Sequence, residues 1–509
     1  MTQQKKLETH QLHFVLIPFM APGHILPMVD IATLLARQNL KVTILTTPLN
    51  AVRIRATIKS EIRSGSTGLH LQLFKFPNAE AGLPDGCESF DALPSTDLRF
   101  NFMKALFMLQ KPLEQIFEKL NPAPTCVIYD PYLPSAASVA KKFGVPGITF
   151  DGTNCFRMLC DHNLRSSKVH EEDVASDENS SEQIIIVPGL PHKVEFKRSH
   201  LHLFFNITTK LNVEYREKVW EAEEEAYGVI VNSFEELESE YLKEYKKVTG
   251  KKVYCVGPVS LSIKDNMDKS QRGNNIDSNE EQQHNEYLKW LDSWPERSVI
   301  YVCFGTLNCV PPEQLMELGL GLEATKRPFI LVLRGGYKRD EMEKILKEDG
   351  LEERVKGRGL IIRGWVPQVL ILSHAAIGAF LTHCGWNSTL EGISRGVPLV
   401  TFPMFSDQFY NEKVIVDVMK IGVRLGAESS MNYGEEDGYG VKVKREKLKE
   451  VIEKVMVEEE EESETIRERA KKLAEKANKA MEKGGSSRLN MSVLIEDIMM
   501  QKQQDIGLN

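Results

Sequence analysis

Short apolar runs alternate with longer amphipathic stretches along most of the chain, which has 509 residues. Runs that predict strands in the first half are 13–19, 41–46, 126–130 and 147–150, and the stretch 25–38 predicts a helix. Runs that predict strands in the second half are 298–305, 329–334, 359–363, 379–383 and 399–403. Since these runs are almost continuously apolar, we expect parallel strands buried on both faces. The predicted class is α/β, with two Rossmann-like, doubly wound domains facing a cleft.

A polar stretch separates the two sets of strands. Residues 260–286 are rich in Asn, Gln and Asp, follow a Gly-Pro turn at 257–258 and show no periodicity. We therefore expect domains at 1–257 and 291–486, joined by a linker at 258–290. In such sheets ligands bind at the carboxyl ends of the strands, so each domain should contribute one ligand site to the cleft.

Composition narrows the class of protein. The chain carries 64 basic and 72 acidic side chains, a net charge of −8, which argues against nucleic acid as a partner. Its eight cysteines lack zinc spacing and predict free thiols in the cytoplasm. No apolar run approaches the roughly 20 residues that span a bilayer, so we expect no membrane span.

Polar and charged side chains that can bind a ligand cluster in the segment 365–408. Five of its side chains have the spacing of a turn that runs into one face of a helix: His383, Trp386, Asn387, Ser388 and Glu391. Such a turn directs backbone N–H groups and the positive end of the helix dipole at an anion, most naturally a phosphate. The pair Asp407-Gln408 follows the next apolar run and suits sugar hydroxyls.

This segment resembles the plant secondary-product glycosyltransferase box, the donor signature of family 1 UDP-sugar-dependent glycosyltransferases. The match includes the initial Trp, HCGWNS, the Glu three residues later, the GVP turn and the terminal DQ. It extends over 13–498 and includes LHFVLIPFMAPGH, VYCVGPV and EKGGSS. The resemblance implies the GT-B fold, with the acceptor on the N-terminal half, UDP-sugar on the C-terminal half, and a final helix at 487–509 returning to the first domain.

The resemblance also implies roles for single residues. Trp365 would stack on uracil, and the Val366 backbone would pair with its edge. The other donor-binding residues implied for phosphate, ribose and sugar are Thr306, Gln368, His383, Trp386, Asn387, Ser388, Glu391, Asp407 and Gln408. In related enzymes a final Gln goes with glucose, so UDP-glucose is the expected co-substrate. The chain has no Asp-x-Asp motif, and we expect no metal and no other cofactor.

Two residues of the first half resemble the family's catalytic pair. His24 follows the first predicted strand in a P-F-x-x-x-G-H context, with Pro22 where the family usually has Gln. Asp130 ends the strand CVIYD and would orient the imidazole and stabilise its protonated form. Without the resemblance, His24 is better explained as a structural or exposed histidine. Asp130 then fits a strand-end cap as well as it fits a catalytic carboxylate.

The implied function is an inverting, metal-independent UDP-glycosyltransferase that moves glucose to a hydroxyl of a lipophilic plant compound and gives a β-glycoside. The segment FPNAEAGLPDGCESFDALPS is similar to a plant subgroup that acts on triterpenoid or steroid alcohols, flavonols and hormones. Runs 102–109 and 201–205 either line the acceptor site or form core helices. We expect a monomer. Two alternatives remain: a catalytically silent UDP-sugar-binding protein, and an epimerase or hydrolase that needs no acceptor.

Overall fold

The computed structural model describes residues 12–150, 152–171, 180–207, 209–263, 286–307, 310–334, 339–427, 429–431, 439–457 and 460–507. These residues divide into two compact units. The first unit comprises the described parts of Met1–Gly152, Thr208–Asn275 and Lys479–Asn509, and the second those of Thr153–Ile207 and Ile276–Asn478. Most of the linker expected at 258–290 lies outside the described residues.

The first unit is built on a seven-stranded parallel sheet, in the order β3-β2-β1-β4-β5-β8-β9. Its strands are β1 (His13–Ile17), β2 (Lys41–Thr46), β3 (Leu69–Leu73), β4 (Cys126–Tyr129), β5 (Gly147–Phe150), β8 (Gly228–Val231) and β9 (Lys252–Cys255). The helices of this unit are Pro22–Ala36, Pro48–Arg63, Asn78–Ala81, Arg99–Phe107, Gln110–Phe117, Pro134–Lys142, Lys210–Glu224, Glu235–Thr249 and Ser486–Gly507. Leu494 and Ile498 of the last helix join the same buried cluster as Phe14 and Ile128 of the sheet.

The second unit is built on a six-stranded parallel sheet, in the order β12-β11-β10-β13-β14-β15. Its strands are β10 (Val299–Cys303), β11 (Phe329–Leu333), β12 (Gly359–Arg363), β13 (Ile377–Thr382), β14 (Leu399–Thr401) and β15 (Gly422–Arg424). Helices of this unit are Cys155–Ser167, Pro312–Ala324, Arg339–Asp349, Leu351–Arg354, Gln368–Leu372, Trp386–Arg395, Gln408–Lys413, Arg445–Met456 and Glu461–Met481, the last of which is assigned to the first unit from Lys479 on.

Residues Thr153–Ile207 form an excursion that groups with the second unit, although the sequence boundary assigned them to the first domain. The excursion carries a helix, Cys155–Ser167, and a separate antiparallel hairpin of β6 (Ile184–Val187) and β7 (Val194–Lys197). Sequence periodicity did not predict this hairpin, because the run IIIV lacks polar alternation although Ile184 and Ile186 are exposed.

The α/β class with two Rossmann-like parallel sheets is confirmed, while several element ends differ from the prediction. The first strand ends at Ile17 rather than at 19, because Pro18 has no N–H to continue the ladder. The following helix begins at Pro22 rather than at 25, since proline is favoured in the first helical turn. The strand predicted at 379–383 begins at Ile377 and ends at Thr382, and the one predicted at 399–403 ends at Thr401.

Within the described ranges, each helix is too short or too polar to cross a bilayer. Seven cysteines of these ranges are buried free thiols: Cys87, Cys126, Cys155, Cys160, Cys255, Cys303 and Cys384. Cys309 lies outside the described residues.

Candidate functional site

His24 and Asp130 lie together at the carboxyl ends of two central strands of the first sheet, β1 and β4. Asp130 directly follows β4, and His24 lies in the first turn of the helix that follows β1. β1 and β4 are parallel neighbours, with Ile17 opposite Tyr129 at their last rung. Since the connections that leave these two strands diverge, their carboxyl ends form the switch point where such sheets bind ligands.

The two side chains form a hydrogen-bonded pair. His24 Nδ1 lies 2.6 Å from Asp130 Oδ2, and the carboxylate is fully buried whereas the imidazole is 25% exposed. The Tyr132 backbone N–H donates to Asp130 Oδ1 over 3.0 Å and holds the carboxylate plane. With Nδ1 donating to the carboxylate, the neutral ring carries its lone pair on Nε2, the nitrogen that can accept a proton.

Aromatic rings surround the imidazole of His24. The Phe19 ring centroid lies 5.1 Å from it and the Tyr132 centroid 5.8 Å, both edge-on. Phe90 and Phe102 extend this cluster beyond Phe19. Phe102 is fully buried, so this part of the run 102–109 backs the cluster as core. The rings make the surroundings of His24 apolar.

In the second unit, a helix N-terminus follows β13. The chain passes through His383, Cys384 and Gly385 and enters the helix Trp386–Arg395, whose N-cap Gly385 provides no side-chain cap. Cys384 has a positive φ of 66°, which makes the turn tight enough to start the helix directly at the strand end. The first N–H groups of this helix have the geometry of an anion site.

Hydrogen bonds of the Gln368 side chain connect its own helix with β10 and with the helix Trp386–Arg395. Its Nε2 donates to Ser388 Oγ over 2.9 Å and to Glu391 Oε2 over 2.8 Å. Its Oε1 accepts from the Tyr301 hydroxyl over 3.1 Å. Because all these partners are mostly buried, Gln368 orients both a hydroxyl and a carboxylate of the segment 365–408. Val366, whose carbonyl accepts from the Gln368 N–H, is buried beside them.

His383 is held as a neutral imidazole. Burial lowers its pKa to about 4; the Cys303 carbonyl opposes this shift, and the positive charge of Arg334 adds to it. At neutral pH the ring is therefore a neutral hydrogen-bonding group.

The lowered pKa of His383 predicts a loss of stability in acid. In the unfolded chain the imidazole binds a proton near pH 6.5, whereas the folded protein binds it only near pH 4. Between these values the unfolded state holds more protons, so the free energy of unfolding should fall as pH falls. We expect about 2 kcal/mol between about pH 7 and pH 5 from this group. Urea unfolding of the protein and of His383→Asn should show a shallower pH dependence in the variant; parallel curves would contradict the shift.

Gly305 lies against His383 at the neighbouring strand end. It follows β10, has φ +78°, and a Cβ added there would lie 2.6 Å from the His383 ring. Glycine is therefore required by both the backbone conformation and the close approach of the imidazole.

The variant Gly305→Ala should displace the His383 ring and weaken the binding of UDP, the ligand that the resemblance implies, about tenfold or more, as calorimetry can measure. Gly357→Ala is the matched control, because Gly357 has φ +90° and no atom within 4 Å of the added Cβ. Both variants should lose about 1 kcal/mol of stability from backbone strain. Equal UDP affinity in the two variants would refute the contact argument.

Asp407 and Gln408 begin another short helix, Gln408–Lys413. Gln408 Oε1 accepts from the backbone N–H groups of Met404 and Phe405 over 2.8 and 3.2 Å. These bonds fix the side chain and determine which of its terminal atoms is the accepting oxygen and which the donating NH₂. Asn411 donates to Asp407 Oδ2 over 2.9 Å, so the carboxylate is fixed as well.

Arg334 is a candidate site residue that the sequence analysis missed. It directly follows β11, donates from Nη1 to Thr306 Oγ1 over 2.9 Å and places its guanidinium 4.4 Å from the Trp365 ring centroid. Trp365 Nε1 is buried without a partner among the described residues. The signal that the sequence offered was its place at the end of a predicted strand, where such sheets bind ligands. The structure added that this strand lies between those that lead to Thr306 and Trp365.

The structure therefore gathers the predicted residues into two groups. The first unit contains the pair His24–Asp130. The second unit contains Thr306, Trp365, Val366, Gln368, His383, Trp386, Asn387, Ser388, Glu391, Asp407 and Gln408, all at or just after the carboxyl ends of its strands. No group of three or more His, Cys, Asp or Glu suited to a metal ion occurs among the residues described.

Two doubly wound parallel-sheet domains of this kind are the architecture of the GT-B class. Residues 114–435 match the family model described as UDP-glucoronosyl and UDP-glucosyl transferase, and the chain belongs to this family. It is 48% identical to UDP-glycosyltransferase 73C10 of Barbarea vulgaris, over 97% of this chain and 98% of that one. The protein is thus a UDP-glycosyltransferase.

Solved structures agree with the fold. UGT73P12 of Glycyrrhiza uralensis, complexed with glycyrrhetinic acid 3-O-monoglucuronide, matches with a TM-score of 0.86 and 34% identity, over 97% of each chain. UGT89C1 of Arabidopsis thaliana, complexed with UDP-L-rhamnose, matches with a TM-score of 0.71 and 28% identity, over 96% of this chain and 99% of that chain.

Proposed function

We propose that this UDP-glycosyltransferase is an inverting enzyme that moves glucose from UDP-glucose to a hydroxyl of a lipophilic plant small molecule and forms a β-glycoside. The His24–Asp130 pair, with its buried carboxylate, carries this proposal, because it provides a general base with a defined lone pair at Nε2. Nε2 takes the proton of the acceptor hydroxyl, and the oxygen forms a bond to the anomeric carbon. The bond from that carbon to the UDP oxygen breaks from the opposite face, and UDP leaves.

Asp130 supports this step in two ways. It holds the imidazole in the tautomer that leaves Nε2 free of hydrogen, and its charge stabilises the imidazolium that forms. The Tyr132 N–H keeps the carboxylate from rotating away. Proton transfer of this kind contributes about 10²- to 10⁴-fold to a reaction rate.

On the donor side, we assign each part of UDP-glucose to a group of residues. Trp365 stacks on uracil, the Val366 backbone pairs with its edge, and Glu391 accepts from ribose hydroxyls. The diphosphate is held by His383, Asn387, Ser388, Thr306 and the helix N–H groups, with Arg334 adding positive charge. These donors stabilise the departing UDP without a metal. Gln368 supports this assignment because it fixes both Ser388 and Glu391.

Trp386, Asp407 and Gln408 are assigned to the sugar. The carbonyl of Gln408 is held by two backbone N–H groups, so the group left to meet a glucose hydroxyl is the amide NH₂, a donor. UGT89C1 holds UDP-L-rhamnose, which supports a UDP-sugar at the equivalent site.

The acceptor is assigned by the surroundings of His24. Phe19, Phe90 and Tyr132 give the base an apolar aromatic neighbourhood, which favours a bulky lipophilic compound such as a triterpenoid, steroid, flavonoid or hormone. UGT73P12, which holds glycyrrhetinic acid 3-O-monoglucuronide, supports a small-molecule acceptor.

We further propose that 1–257, completed by the helix at 487–509, serves the acceptor and 291–486 the donor, with the excursion Thr153–Ile207 grouping by its contacts with the second unit. The buried free thiols support a reducing compartment, and we place the enzyme in the cytoplasm as a monomer.

The test is a matrix of UDP-sugars against plant phenols, steroids and triterpenes, with products detected by mass. We expect a mass gain of one hexose on an acceptor, highest with UDP-glucose, and a β linkage by NMR. Binding of UDP without any product would instead indicate a silent binding protein. Conversion of UDP-glucose in the absence of an acceptor, at the same rate as in its presence, would indicate a hydrolase or epimerase.

A further inference from the structure

The excursion Thr153–Ile207 packs on the short helix that begins with Gln408. The Phe196 ring lies 4.5 Å from the Tyr410 ring, and His200 stacks on Phe409 at 3.9 Å. The His202 backbone N–H donates to the Tyr410 hydroxyl over 3.2 Å. The excursion therefore supports the helix whose first residues are assigned to the sugar.

A buried polar link runs from the excursion to Asp407. Asn154 Nδ2 donates to Asn411 Oδ1 over 2.6 Å, although 257 positions separate the two residues. Asn411 Nδ2 in turn donates to Asp407 Oδ2 over 2.9 Å and to the Cys384 carbonyl over 2.8 Å. Asn154 and Asn411 are both fully buried.

The link has one consistent arrangement of hydrogens. Asn154 Oδ1 accepts from the Arg157 N–H over 2.8 Å as the N-cap of the helix Cys155–Ser167, so its NH₂ must face Asn411. Asn411 must then present its oxygen to Asn154 and both amide hydrogens to Asp407 and Cys384. Neither amide can flip without leaving a buried polar group unpaired, which is costly.

We propose that Asn154, acting through Asn411, is a positioning residue for Asp407 and thereby sets the affinity for the sugar of the donor without affecting that for UDP. The inference rests on the proposed role of Asp407 in binding sugar hydroxyls. Asp407 is only partly buried, and a carboxylate at the start of a short helix has several rotamers. The bond from Asn411 selects one of them, and Asn154 fixes Asn411.

Asn154→Ser separates positioning from folding. Serine is as good an N-cap as asparagine, so it preserves the helix start but is too short to reach Asn411. We expect UDP-glucose to bind about three- to tenfold more weakly, as one well-placed hydrogen bond is lost. The affinity for UDP, measured by the same calorimetry, should remain at the wild-type value.

Two controls test whether Asn154 acts through Asp407. Asn163→Ala removes another buried asparagine bond of the excursion, to the Pro188 carbonyl, and should leave both affinities unchanged. In an Asp407→Ala background, Asn154→Ser should have no further effect on UDP-glucose binding, because the group it positions is gone. Additive losses in the double variant would show that Asn154 does not act through Asp407.

Further outcomes would overturn either the positioning role of Asn154 or the proposed function on which it rests. Unchanged UDP-glucose affinity in Asn154→Ser, or equal loss for UDP and UDP-glucose, would overturn the positioning role. The proposed function fails separately, if the wild-type protein binds UDP-glucose no differently from UDP and transfers no sugar. The wild-type measurement therefore distinguishes the two failures before any variant is made.

Discussion

Replacing His24 with alanine should lower the rate of sugar transfer by about 10²- to 10⁴-fold and leave UDP affinity unchanged. The substitution removes Nε2, which we assign as the base for the acceptor hydroxyl, and removes none of the donor-binding side chains. The measurement is turnover at saturating UDP-glucose with a good acceptor, together with calorimetry of UDP binding. The loss should fall on kcat rather than on the KM for UDP-glucose.

His70→Ala is the matched control for this experiment. His70 lies on β3 of the same sheet, and its side chain is exposed at the sheet edge. We expect it to keep wild-type turnover. Turnover of His24→Ala close to wild type, with UDP binding intact, would remove His24 from the role of general base.

Asp130→Asn should reduce kcat by about 10²- to 10⁴-fold although the shape of the side chain is preserved. An amide NH₂ facing Nδ1 would donate to the ring, so the ring hydrogen would move to Nε2 and the base would lose its lone pair. The remaining amide oxygen can still accept from the Tyr132 N–H, so the loop after β4 should keep its conformation.

The comparison of Asp130→Asn with Asp130→Ala tests the tautomer argument directly. Alanine imposes no tautomer on His24, so we expect kcat of Asp130→Ala to fall no further than kcat of Asp130→Asn. UDP affinity serves as the folding control for both variants. If Asp130→Asn kept turnover within about threefold of wild type, orientation of His24 by Asp130 would not contribute to catalysis.

The residues of 383–391 proposed to bind the donor were accessible from the sequence because their arrangement is local. A strand end, a tight turn and the first turns of a helix follow one another, so spacing alone predicts which side chains share a face. The same holds for Asp407 and Gln408 at the start of their helix. Gln368 differs, because its bonds to Ser388 and Glu391 depend on how two helices pack.

Arg334 and Asn154 were missed for a different reason. Arg334 ends a strand-like run as many surface arginines do, and nothing in the run indicates a contact with Thr306 or Trp365. Asn154 has the sequence position of an ordinary N-cap, which it is, while its second contact lies with Asn411 far along the chain. Contacts of such long sequence separation leave no local pattern.

By itself the sequence determined the fold class and the family, and it supplied the residue types of both proposed half-sites, because hydrophobic periodicity and fixed motif spacing are local properties. Only the tertiary structure decided that β1 lies beside β4 and β10 beside β13. Strand order depends on how the whole sheet is buried, and it brings Asp130 to His24 and His383 to Gly305. The assignment of the excursion Thr153–Ile207 to the second unit was likewise decided by packing, since Phe196 lies against Tyr410 and Asn154 bonds to Asn411.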